Sequence, residues 1–131
     1  MVKRPTPSEL YGKVKNALQA LYAGRRDFGT RKHWASDSDQ LDLNSAADLW
    51  ALLPVLLEEI KQARPENCYA GTQPPQRSYE ADDTIRDEEL WAFAWDSQHL
   101  GRRIYLKFVL TKNRRGEWHY FHMDCHPDVP K

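Results

Sequence analysis

The spacing of the apolar residues changes once along this chain, and that change constrains the fold more than any other feature. Up to about residue 62 they recur every three or four positions, and from residue 89 they alternate. The first spacing lines one face of a helix and the second lines one face of a strand. "TPSELYGKVKNALQALYAG" carries Thr6 as a cap, Pro7 at the first helical position and Glu9 to complete a capping box. Leu10, Val14, Leu18 and Leu21 form its stripe, and Gly24 is a natural stop. "SAADLWALLPVLLEEIKQA" repeats the pattern with Asn44 or Ser45 as cap and Leu49, Leu52, Leu53, Leu56, Leu57 and Ile60 as stripe. Pro54 lacks an N–H and obstructs the carbonyl four residues back, so a kink or restart is expected there. Glu58 and Lys61 are expected to leave the end of this helix in solvent.

Between these helices, "RRDFGTRKHWASDSDQLDLN" is polar and turn-rich, with room for a short helical turn near Arg31 to Ala35. Residues 64–88 hold three prolines and a cluster of acids without any period, which predicts a long loop. The last third reads as three antiparallel strands, "ELWAFAWD", "RRIYLKFVLT" and "EWHYFHMDC". Gly116 in "KNRRG" suits a left-handed turn position, and Trp91, Phe93 and Trp95 are read as core. The prediction is a single α+β domain over residues 1–131, N-terminal helices packed on a twisted antiparallel sheet of about three strands.

Unbroken alternation would sort the last two strands into an apolar and a reactive side. Ile104, Leu106, Phe108 and Leu110 share one face, and Phe121, Met123 and Cys125 with His119 are assigned to it. The open face then holds Arg103, Tyr105, Lys107, Tyr120, His122, Asp124 and His126. Histidine exchanges a proton near neutrality, lysine holds a phosphate oxygen, and tyrosine positions a sugar or stacks on a base. Those groups suffice to cleave RNA without a metal. A base takes the 2′-hydroxyl proton, a cation stabilises the phosphorane, and an acid protonates the departing 5′-oxygen. The competing reading is a solvated sheet face with no function. Zinc is a poorer fit: His119, His122, Cys125 and His126 all lie in one strand, and alternation sends them to opposite sides. His33 and Cys68 are too few to complete a set.

Formal net charge is zero, but the charges are segregated. Residues 1–35 hold eight Lys/Arg and two acids; residues 36–59 hold six acids and no Lys/Arg. Residues 80–89 hold six acids and Arg86, and residues 102–115 hold six Lys/Arg and no acid. The blocks are consistent with a basic cleft for an anion or with mutual neutralisation across the surface. Two cysteines make no disulfide framework in 131 residues, and reduced thiols are expected. The longest uncharged apolar run, Leu49 to Leu57, is short of the roughly 20 residues that span a bilayer. The basic N-terminus precedes no apolar segment, so neither a signal peptide nor a membrane partner is expected, and the cytoplasm is the expected compartment.

The order of four segments resembles the MqsR-type toxins of bacterial toxin–antitoxin pairs, messenger-RNA-cleaving enzymes of the RelE-like ribonuclease fold. "VKNALQALYAGRRDFGTR" is similar to that family's first helix, and "SDSDQLDLNSAADLWALL" to its acidic lead into the second. "ELWAFAWDSQHLGRRIYLKFVL" is similar to its last two long strands, and "YFHMDCH" stands where its terminal Ser-Phe-Lys or Ser-Phe-His strand ends. Tyr105 and Lys107 match the family's Tyr-x-Lys, and His126 its terminal Lys or His. The family's glutamine meets Ala92, and its loop lysine has Arg77 as nearest counterpart. The resemblance implies a RelE-like sheet under RNA, no cofactor, and a cognate antitoxin protein.

Together these readings place His126 and His122 in acid–base work, Lys107 and Arg77 on phosphate, and Tyr105, Arg103 and Tyr120 on the substrate. The expected function is a metal-independent endoribonuclease toxin. The alternative is a non-catalytic interaction module, antitoxin-like or an immunity protein, that binds a protein partner through its acidic blocks.

Overall fold

Thr6 and Ser45 set where the two long helices begin. In the computed structural model, which describes residues 5–29, 34–72, 75–78 and 85–128 with the side chains of 34–36 excepted, α1 spans Pro7–Tyr22. Its first turn is closed by the Thr6 hydroxyl, which accepts from the Glu9 N–H at 3.1 Å. Gly24 follows at φ +77°, a conformation that costs glycine least. α3 spans Ala46–Gln62, and Ser45 and Asp48 close a reciprocal capping box at its start. The helix runs unbroken through Pro54, contrary to the expected kink. One ladder bond is lost there, but buried leucines on both sides of the proline hold the helix together.

The expected three strands are present as β2 (Trp91–Ser97), β3 (Arg102–Lys112) and β4 (Trp118–Pro127). A fourth, β1 (Arg26–Phe28), lies parallel to β4, so the sheet is mixed, in the order β1-β4-β3-β2. Three residues carry no readable period, which is why "RRDFG" passed for connector. The short helix α2 spans Trp34–Gln40, and Arg31 to His33 of the expected turn lie outside the described residues.

The segment 64–88 is partly ordered. It holds one helical turn, α4 (Pro65–Cys68), and isolated bridges pair Tyr69 with Phe93 and Arg77 with Glu89. Glu80, Asp82 and Asp83 of the acidic cluster lie outside the described residues.

Both helical stripes bury against Trp91, Phe93, Trp95, Ile104, Leu106, Phe108 and Leu110, forming the main core. At ~1.5–3 kcal/mol for each fully buried large apolar side chain, this interface is what holds helices on sheet. Among the described residues no helix is long and apolar enough to cross a membrane.

The alternation of β4 is interrupted. Lys107 pairs with Asp124 and the next residue, Phe108, pairs with His122, so Met123 is an extra residue in a β-bulge. A one-residue slip turns every later side chain to the other face. Tyr120 and His122 therefore sit on the helix side with Phe108 and Leu110, both buried, and not on the open face. Phe121, Met123 and half-exposed His119 turn away from the helices instead. Phe121 and Met123 are still buried, because Ile85 and Leu90 fold over them and Val109 in a second, smaller core.

Candidate functional site

On the C-terminal side of the bulge, the outward row survives. Tyr105 pairs with His126 and Lys107 with Asp124, and Arg103 continues the row along β3. The Tyr105 and His126 rings stack at 5.3 Å with 23° between planes. His126 Nδ1 lies 3.0 Å from the Pro127 carbonyl oxygen. A carbonyl only accepts, so Nδ1 carries the proton and Nε2 of the neutral ring is left as a proton acceptor. Burial pushes the Tyr105 hydroxyl above its usual value, and Asp124 and Asp128 add to that against the opposing pull of Lys107. The phenol is therefore a neutral hydrogen-bond donor near pH 7.

Lys107 is only 26% exposed and its ammonium holds Asp124 at 3.1 Å, so it is less free than an open-face lysine would be. Arg103 is held by Asp128 at 3.0 Å, with Asp96 at 3.9 Å. A hollow of about 90 Å³ lies beside Tyr105 and Lys107, walled by Gly71, Thr72, Gln76 and Ala92. Arg77 does not line it. Its guanidinium donates to the Asp87 carbonyl instead, although its neighbour Gln76 reaches the hollow.

His122 cannot join this row. It is 2% exposed, flanked by Phe28 and Trp50 edge-on at 6.1 and 6.4 Å, and its Nε2 has no hydrogen-bond partner. Its Nδ1 is 3.5 Å from the Tyr120 hydroxyl. Burial lowers its pKa to about 4 against the opposing pull of Asp124, so the ring is neutral at physiological pH. Tyr120 is fully buried, and burial holds its hydroxyl well above the usual range. Neither residue can touch a substrate on the outer face.

Both cysteines are free and buried, and burial raises both thiols. Among the described residues no three His, Cys, Asp or Glu side chains stand together as a metal set.

Two acids of the 36–59 block turn out to be structural. Asp37 is buried and accepts from the Cys125 N–H at 3.2 Å. Glu59 accepts from the Ser97 hydroxyl, the Trp95 indole and the N–H groups of Gln98 and His99. Partial burial raises its pKa, but these four donors outweigh it and leave it lowered.

Sequence reasoning also missed a second pair. His119 Nε2 lies 2.9 Å from the Asp27 carboxylate, and the imidazole stacks on Phe121 at 4.7 Å. This pair lines the largest cleft, about 990 Å³, across the other end of the sheet. No signal in the sequence joins two residues 92 positions apart, one of them in a strand too short to read. Compared with protein families, with curated proteins and with solved structures, the chain finds no match.

Proposed function

We propose that this chain is a metal-independent endoribonuclease toxin with a RelE-like arrangement, working in the cytoplasm and neutralised by a cognate antitoxin protein. The observation that carries the reading is the convergence of Tyr105, Lys107 and His126 on one sheet face, with the Tyr105 ring stacked on His126. His126 Nε2 takes the proton of a 2′-hydroxyl, whose oxygen attacks the adjacent phosphorus. Lys107 exchanges part of its hold on Asp124 for the phosphorane oxygens, and the Tyr105 hydroxyl donates to the same group. The 5′-oxygen leaves with a proton returned by the imidazolium or by solvent.

Expression of the wild-type chain is expected to arrest bacterial growth and cut messenger RNA, with cleavage persisting in a strong chelator. His126→Ala is expected to lower the cleavage rate by ~10²–10⁴. A wild type that is harmless on overexpression and leaves RNA whole ends this reading.

A second reading is favoured by one specific observation: the cations of the row are already paired, Lys107 with Asp124 and Arg103 with Asp128. A row neutralised in this way suits an interaction module that binds a protein partner. Its acidic surface excludes Asp37 and Glu59, which are engaged inside the fold. Capture of a partner by a chain that leaves RNA intact would select it.

A further inference from the structure

The 990 Å³ cleft is of the size that takes small ligands, and its two ends carry opposite charge. At one end, the ammonium groups of Lys13 and Lys112 lie 5.4 and 5.2 Å from the Trp118 ring. Neither has a carboxylate partner among the described residues. Glu88 and Glu89 contribute the opposite charge, also without an ion pair there. Asp27 is engaged by His119, which fixes the imidazole against Phe121 and leaves its Nδ1 for a ligand.

A plain polyanion would meet repulsion from three carboxylates, so the complement is a ligand with an anion at one end and hydrogen-bond donors at the other. We propose that this cleft binds a nucleoside phosphate, with the phosphate at Lys13 and Lys112 and an amino-bearing base edge at Glu88 and Glu89. The aromatic rings of Phe121 and Trp118 offer surfaces on which a base or sugar packs. Carboxylates accept from the amino groups of guanine, adenine or cytosine, and uracil has none to offer. The unit comes either from a free nucleotide or from an RNA strand. The site deepens the ribonuclease reading if the source is RNA, but its binding is measured separately from cleavage.

The test is an amide NMR titration of the full chain with guanosine monophosphate, uridine monophosphate and a short guanine-containing oligoribonucleotide. With roughly 1 mM guanosine monophosphate, a concentration suited to weak ligands, amides of Asp27 and of residues 111–119 are expected to shift. Uridine monophosphate is expected to bind about tenfold more weakly, the worth of one hydrogen bond to a charged group.

The double variant Lys13→Ala/Lys112→Ala is expected to lose about tenfold or more in affinity for guanosine monophosphate. It is also expected to make the salt dependence of oligonucleotide binding shallower by about 1.4 in log–log slope. Glu88→Gln/Glu89→Gln is expected to abolish the preference over uridine. All these side chains are at least partly exposed, so the variants keep the fold, which their amide spectra check.

Much tighter binding of the oligonucleotide identifies RNA as the source, and equal affinity identifies the free nucleotide. Cleft amides that do not move, or a lysine double variant that binds as the wild type does, overturn the proposal. Cleavage without cleft binding sinks this inference and leaves the ribonuclease reading standing. Binding without cleavage does the reverse.

Discussion

His122 and His126 lie four residues apart in the same strand, and alternation places them on the same face, yet they have opposite environments. His126 is half-exposed, stacked on Tyr105, with one nitrogen available. His122 is enclosed by Phe28, Trp50 and Tyr120, and one ring nitrogen has no partner. A single bulged residue, Met123, separates the two outcomes. In this sheet the chemical role of a histidine is set by cross-strand register. Residue type and parity do not decide it.

The largest expected effect comes from removing that residue. Deleting Met123 forces either Asp124 and His126 toward the helices, or Tyr120 and His122 out of the core. The deletion is expected to cost more than about 4 kcal/mol and to leave no cooperative thermal transition by circular dichroism. A deletion variant that melts as the wild type does would remove the bulge from the explanation.

Next in size is the pH dependence of stability. His122 has its pKa lowered to about 4 in the folded chain, against about 6.5 when unfolded, so the unfolded state binds the proton more tightly. The contribution is complete above about pH 6.5 and is lost as pH falls toward 4, by roughly 3 kcal/mol in total. Urea denaturation across that range reads it, and a flat profile from pH 7 to 4 would contradict the buried placement.

Leu106→Ala, next to the bulge on the helix face, is expected to cost about 2–5 kcal/mol, and at the lower end it is comparable with the acid effect. Changing the two histidines separates the sides most finely. His122→Leu is expected to raise stability at pH 7 by about 1 kcal/mol, since it removes an unsatisfied buried nitrogen, and to flatten the acid loss. His126→Leu is expected to stay within about 0.5 kcal/mol of wild type. Equal effects from the two substitutions would erase the distinction between the sides.

The amino-acid sequence by itself determined the elements that depend on near neighbours. The Thr6 cap, the Ser45 start, both leucine stripes, the aromatic face of β2 and the turn at Gly116, with φ +80°, follow from spacings of two to four residues. It also placed Tyr105, Lys107 and His126 on one face, because those positions lie on one side of the bulge. Tertiary structure decided the rest. It turned Tyr120 and His122 inward and paired β1 with β4. It also put Asp37 and Glu59 to structural use and brought Asp27 to His119. The physical reason is that a bulge is fixed by which side chains two strands can bury together. A bond such as that from Cys125 N–H to Asp37 spans 88 positions and has no local period to announce it.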